Sequence, residues 1–337
     1  MRVLVTGAGG FIGSMLVRLL QSQGQVGGRA IEVLAVADQC LPATAVSSPW
    51  ALEGDLGNAL ILQRIRALAP QLCFHLAAVP GGAAEADPAL SRRINLDTTL
   101  DLFQVLAEAS DGRGEAAPVV VYASTIAVYG SPLPDPVTPW CPTRPSMTYG
   151  AHKLACEILL ADFTRRGMLD GRSLRLPGIV ARPRGPSGLV SAFMSELLQA
   201  LAANENFVCP VSPNATAWWM SALRCAQNLV HAAAMDPAID AAGAAARTWP
   251  LPVLRLSVAE VVRTLSATCG VDGERKVSYA PQRAVEDVFG RYPVLDDRPS
   301  RLLGLRDDGT PDALIRRALD PQFGEPMPTS TQASASS

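Results

Sequence analysis

A chain of 337 residues with 48% hydrophobic and 18% charged side chains can bury a large core, and this composition excludes a disordered or fibrous protein. Its 29 basic and 31 acidic residues leave a net charge of -2, so nothing electrostatic favours nucleic acid or an anionic membrane as a partner. The 7 cysteines form no CxxC pair and the 3 histidines are dispersed, which reads as reduced thiols and no metal site.

Short apolar runs alternate with helix-like stretches through the first half, the pattern of an α/β protein with a parallel sheet covered by helices. RVLVT at 2–6 is the first strand, and a glycine-rich turn and a helix over about 11–23 follow it. The next strand, 31–37, ends at Asp38. A helix over about 57–68 leads to a strand at 73–79, and a helix near 90–110 leads to a strand at 119–125. Helical spacing over 150–167 precedes one buried strand, SLRLPGIV at 173–180. Beyond about 181 the pattern changes to a Pro/Gly-rich loop and helices at 189–203, 222–234 and 257–269. The expected architecture is a Rossmann-type doubly wound parallel sheet over 1–180. A smaller C-terminal substrate-binding region over 181–321 has segments able to return to the large domain. The small, polar stretch 322–337 reads as a disordered tail. Glycines at 7, 9 and 10 break the first apolar run too early for a signal segment, and no apolar run approaches the ~20 residues of a membrane-spanning helix. A cytoplasmic location is expected.

The turn GAGGFIG at 7–13 follows a strand and opens a helix. Gly7 permits the tight turn, Gly10 lets backbone approach a pyrophosphate, and Gly13 lets the helix pack on the sheet, while the helix N-terminus offers N–H donors. Asp38, ending the second strand, can accept hydrogen bonds from the adenosine ribose and repel a 2′-phosphate, so NAD is favoured over NADP. Tyr149 and Lys153 in YGAHK stand at i, i+4 on one helical face. A nearby cation would bring a phenol of ordinary pKa ~10 toward a working range, and the lysine can also hold the nicotinamide ribose. Ser124 and Thr125 end the preceding strand, where ligands of open α/β sheets bind, and spacing alone does not decide which hydroxyl dominates.

Together these residues resemble the extended short-chain dehydrogenase/reductase family, which includes NAD-dependent epimerases and dehydratases. The shared marks are TGAGGFIG at 6–13, Asp38, GDL at 54–56, HLAA at 75–78, the asparagine of RRINLDTT, STIAVYG at 124–130 and YGAHK at 149–153. The resemblance implies a cofactor set of Gly7, Gly10, Phe11, Ile12, Gly13, Asp38, Asp55, Leu56, Leu76, Ala77, Ala78, Asn95, Tyr149, Lys153, Pro177 and Ile179. It also implies Thr125, three residues before the VYG valine, as the catalytic hydroxyl, and a homodimer built on the helices of 90–110 and 150–167. Longer matches at 74–87, 128–140, 149–183 and 208–213 resemble a branch that oxidises a four-carbon sugar acid at its 2-hydroxyl with NAD.

A sugar-acid substrate needs donors for its carboxylate. The candidates are Arg182, Arg184, Arg224 and the backbone at Gly81 and Gly82, with the glycine-rich loop 81–87 also able to act as a lid. Arg175 reads as a structural cation and His75 as a core histidine, while Trp218 and Trp219 are candidate pocket walls. Two other readings compete. One is a sugar-nucleotide epimerase or dehydratase that keeps NAD bound. The other is a non-catalytic dinucleotide sensor, which would have no need of the Thr125, Tyr149 and Lys153 set.

Overall fold

The structure is a computed structural model and describes residues 1–41, 49–185, 190–236 and 247–320. The tail expected at 322–337 lies outside the described residues.

Strand β1 (Arg2–Thr6) enters α1 (Phe11–Gln23), and β2 (Val33–Asp38), β3 (Ala51–Glu53) and α2 (Ala59–Leu68) follow. Then come β4 (Leu72–His75), α3 (Gly81–Ala86), α4 (Thr98–Asp111), β5 (Val119–Thr125), α5 (Thr148–Arg165) and β6 (Asp170–Leu176). After these stand β7 (Gly178–Val180), α6 (Phe193–Ala202), β8 (Thr216–Ser221), α7 (Ala222–Ala234), β9 (Thr248–Pro250), β10 (Leu254–Ser257) and α8 (Val258–Cys269).

The central sheet has seven strands in the order β9-β6-β5-β4-β1-β2-β3, all paired in parallel. Alternation along β1 explains why it is covered on both faces. Val3 and Val5 pack into the core under α1 and α7, whereas Leu4 faces the opposite core with Ile65, Leu102 and Leu160 from α2, α4 and α5. The strand order reverses between β1 and β4, which places a crevice at the carboxyl ends of those strands.

Two elements from beyond residue 181 belong to this large layer. β9 pairs with β6, and α7 packs along α1. A separate core of Phe193, Leu197, Trp219, Val261 and Leu314 lies beneath the remaining C-terminal elements.

Three expectations change. The run 173–180 is not one strand: β6 stops at Leu176 and β7 pairs with β8 in a second sheet, β10-β8-β7. Pro177 is the reason, because it lacks an N–H for the ladder and fixes its own φ. The helix near 90–110 is interrupted by a π-helical turn, Arg92–Asp97. The segment 81–87 is not a loop, since Gly81–Ala86 is helical and the Glu85 carboxylate accepts a short hydrogen bond from the Thr148 amide at the start of α5.

Leu229, on α7 and fully buried against the α1 side of the sheet, tests whether this C-terminal helix is part of the main core. Leu229→Ala is expected to cost about 2–5 kcal/mol in urea unfolding. A loss under about 1 kcal/mol would show that the contact between α7 and α1 is dispensable.

Candidate active site

The turn between β1 and α1 is built by backbone contact. Gly7 has φ +71°, and a Cβ on Gly13 would lie 1.9 Å from the Gly7 carbonyl oxygen, so the helix meets the turn with no room for a side chain. This closeness brings the N-terminus of α1 to the mouth of a cavity of about 310 Å³. Gly7, Gly10, Phe11, Ile12 and Gly13 line one wall, with Leu76, Ala78, Pro80 and Gly81 beside them. Ser124, Thr125, Tyr149 and Lys153 also line the cavity, as do Pro177, Ile179 and Arg182.

The other expected cofactor residues stand around this groove without lining the cavity. Asp38 ends β2, where its Oδ2 accepts from the Gly9 amide at 2.9 Å. Asp55 follows β3 and turns the chain by accepting from the Gly57 amide at 2.9 Å, while Leu56 is half-buried against the core on the α2 side. The Ala77 amide donates to Thr6 Oγ1 at 3.4 Å. Asn95 sits in the π-helical turn, fully buried, with its Oδ1 accepting from Val79 N at 2.7 Å and its Nδ2 donating to Val79 O at 2.9 Å. It thereby pins the backbone leaving β4. Gly82 lies in α3 beyond the lining.

Of these lining residues, Lys153 is buried and its Nζ donates to Ala123 O at 2.8 Å. The ammonium stands 4.7 Å from the Tyr122 ring centroid and 5.8 Å from that of Tyr149. Burial pushes Lys153 down to about 8, against the opposing influence of Cys156 and Glu157. Burial also pushes the Tyr149 phenol up to about 12, and the cation that counters this is Arg182. A nearby cation is expected to ease ionisation of the phenol; in this geometry that cation is the Arg182 guanidinium. The two adjacent hydroxyls differ. Ser124 Oγ donates a short hydrogen bond to Glu157, whereas Thr125 Oγ1 accepts from the Ala127 amide at 3.1 Å and donates to none of the described residues.

The candidate arginines separate cleanly. Arg182 lines the cavity, its backbone held by Ser195 Oγ at 2.9 Å and its guanidinium 5.5 Å from the Phe11 ring centroid, with no carboxylate partner among the described residues. Arg184 pairs with Glu205 at 2.6 Å on the surface. Arg224 stands in a charged cluster with Asp307, Asp308, Arg306 and Arg317 and does not line the cavity. Trp218 and Trp219 are not pocket walls: both are fully buried, donating to Pro293 O at 2.8 Å and Leu256 O at 3.2 Å. His75 is a core histidine between Thr6 and Thr99, held down to about 3 by burial and by Lys153.

Sequence reasoning missed Ser191, Ala192, Met194 and Ser195, which close the cavity from the start of α6. It also missed Glu157, although Tyr149, Lys153 and Glu157 follow one another at four-residue spacing on a single helical face.

Residues 3–235 match the NAD dependent epimerase/dehydratase family. The chain belongs to this family. It is an NAD-dependent enzyme acting on a CH–OH group. It is 33% identical over 336 residues to a D-erythronate dehydrogenase of Cupriavidus necator, covering 95% of this chain and 98% of that protein. A second D-erythronate dehydrogenase, from Haemophilus influenzae, is 26% identical over 328 residues, covering 95% of this chain and 99% of that one. Among solved structures, a nucleoside-diphosphate-sugar epimerase from Agrobacterium tumefaciens superposes with a TM-score of 0.86 at 30% identity, covering 96% of this chain and 95% of that one.

The residues present fit a dinucleotide. Side chains are excluded where α1 meets the turn, the helix N-terminus opens on the groove, and a carboxylate ends β2 beside it.

Proposed function

We propose that this protein oxidises a small sugar acid, D-erythronate or a close 2-hydroxy aldonate, at its 2-hydroxyl to the 2-keto acid, using NAD. The observation that carries the reading is one cavity shared by a threonine hydroxyl, a tyrosine phenol, a buried lysine and an arginine with no carboxylate partner among the described residues. The similarity to two D-erythronate dehydrogenases over nearly the whole chain supports the choice of acid.

Bound NAD supplies the acceptor for the hydride that leaves C2. Gly7, Gly10 and Gly13 with the N-terminus of α1 would hold its pyrophosphate, Asp38 its adenosine ribose, and Lys153 its nicotinamide ribose. Tyr149 Oη takes the proton of the C2 hydroxyl as the C2–H bond breaks and the carbonyl forms. Thr125 Oγ1 donates to that oxygen and steadies it. Arg182 meets the carboxylate, and its charge facing Tyr149 favours the ionised phenol. The wall of half-buried Ser191 and Ala192 and buried Met194 and Ser195 limits water around these groups.

A second reading, a sugar-nucleotide epimerase that retains NAD, is favoured by the 30% identity to the Agrobacterium protein. Purified protein assayed with aldonates plus NAD, and with UDP-sugars without added NAD, separates the two. Interconversion of UDP-sugars with no aldonate oxidation replaces the first reading by the second.

Three variants test the assigned roles. Tyr149→Phe keeps the ring and is expected to bind NAD while losing about 10²–10⁴-fold in turnover; near-native turnover would remove Tyr149 as the base. Asp38→Ala combined with Gln39→Arg is expected to narrow or reverse a preference for NAD over NADP, and a wild type indifferent between the two cofactors contradicts the placement of Asp38 at the ribose. Arg182→Ala is expected to raise KM for the acid, but not for the matching neutral polyol, by roughly tenfold to over a hundredfold, the equivalent of about 1.5–3 kcal/mol for a hydrogen bond to a charged group. Equal effects on acid and polyol would deny Arg182 the carboxylate.

A further inference from the structure

The proposed reaction leaves one buried charged cluster without a task. Glu157 lies on α5, one turn beyond Lys153 and two beyond Tyr149, with its side chain 4% exposed. Arg175, on β6, grips it with both arms, Nε to Oε1 at 3.0 Å and Nη2 to Oε2 at 2.7 Å. The third arm, Nη1, donates to Tyr129 Oη at 3.0 Å, and the guanidinium stands 4.9 Å from the Tyr129 ring centroid. Ser124 Oγ, on β5, donates to the same Oε1 in a short hydrogen bond. One carboxylate therefore ties the helix bearing Tyr149 and Lys153 to the two strands that end at Thr125 and Leu176.

Removing such charges from water is costly, and a bidentate arginine with a hydroxyl donor is the arrangement that offsets it. A cluster built at this cost sits where two consequences reach the reaction. Ser124 also borders the cavity, yet its only proton is committed to the carboxylate, while that of Thr125 is not. The buried ammonium of Lys153 is also close to Glu157 along the helix. Around Lys153 stand Tyr149, Cys156 and Glu157 from α5, Tyr122 from β5 and His75 from β4, while Arg175 from β6 faces Glu157.

We infer that Glu157 is a positioning residue: clamped by Arg175, it commits the Ser124 hydroxyl, leaves Thr125 to donate to the substrate oxygen, and places a negative charge one helical turn from buried Lys153. This rests on the reading of Thr125, Tyr149 and Lys153 as the reacting set. The charge at Glu157 opposes the downward push of burial on Lys153, so its removal moves the lysine further down.

Lys153 and Lys276 are the two lysines of the sequence, which makes the ammonium directly observable. The full-length protein, labelled with ¹³C at lysine Cε and assigned with Lys276→Arg, is titrated by NMR without substrate. Lys153 is expected to titrate near 8 in the wild type. In Glu157→Gln it should titrate lower by about half a unit or more, with Lys276 unmoved. A merely structural role would lower the melting temperature and leave the midpoint in place, which overturns the inference.

The second measurement does not depend on Glu157→Gln folding. Thr125→Val is expected to lose about 10²-fold or more in kcat, and Ser124→Ala well short of that. Equal losses overturn the assignment of the two hydroxyls. A wild type that oxidises no aldonate defeats the proposed substrate, while the lysine titration still decides the role of Glu157.

Discussion

At the carboxyl edge of the central sheet, β1 and β4 run side by side while their chains leave in opposite directions, and no helix can cover the gap between them. The rest of the molecule is arranged around that gap. Gly13 abuts the Gly7 carbonyl so that α1 can start at its rim, and Asp38 ends the next strand out on the same side. Across the gap, β5 and β6 bring Thr125 and Leu176 to the same edge. Because the pairing between these strands fixes their relative height, the groove and the side chains proposed to react cannot drift apart without breaking the parallel ladder.

Tyr149 and Lys153 meet a second constraint, burial. A phenol raised and an ammonium lowered by removal from water are each less ready to carry charge than they would be at a surface. Nearby groups oppose this push without cancelling it: Arg182 acts on Tyr149, and Cys156 and Glu157 act on Lys153. The tyrosine and lysine thus occupy a helix face whose properties depend on side chains from other elements, and their spacing of four residues is only the beginning of the site.

This explains which parts were legible in the sequence. GAGGFIG and YGAHK are local: their meaning lies in backbone turns and helical periodicity, and residues of both line the cavity. The choice between Ser124 and Thr125 is non-local, because it depends on an acid 33 residues away. So is the choice among Arg182, Arg184 and Arg224: among the described residues Arg184 has Glu205 and Arg224 has Asp307 and Asp308 nearby, whereas Arg182 pairs with no carboxylate. Trp218 and Trp219 were offered as pocket walls because large aromatics suit either surface, and only the course of β8 shows both rings turned into packed cores. The break at 177 was readable from proline alone, whereas the π-helical turn under Asn95 left no mark in a helical pattern.

That break makes Pro177 a seam. Leu176 ends a strand of the central sheet, and Gly178 begins a strand of the smaller one. Strands β6 and β7, one from each sheet, are thus consecutive stretches of chain joined by a residue that itself lines the cavity. On the proposed reading, substitutions in β7 and β8 can reshape what the cavity accepts while the register of β6 against β5 stays intact, so that substrate choice can diverge between relatives separately from the hold on the dinucleotide.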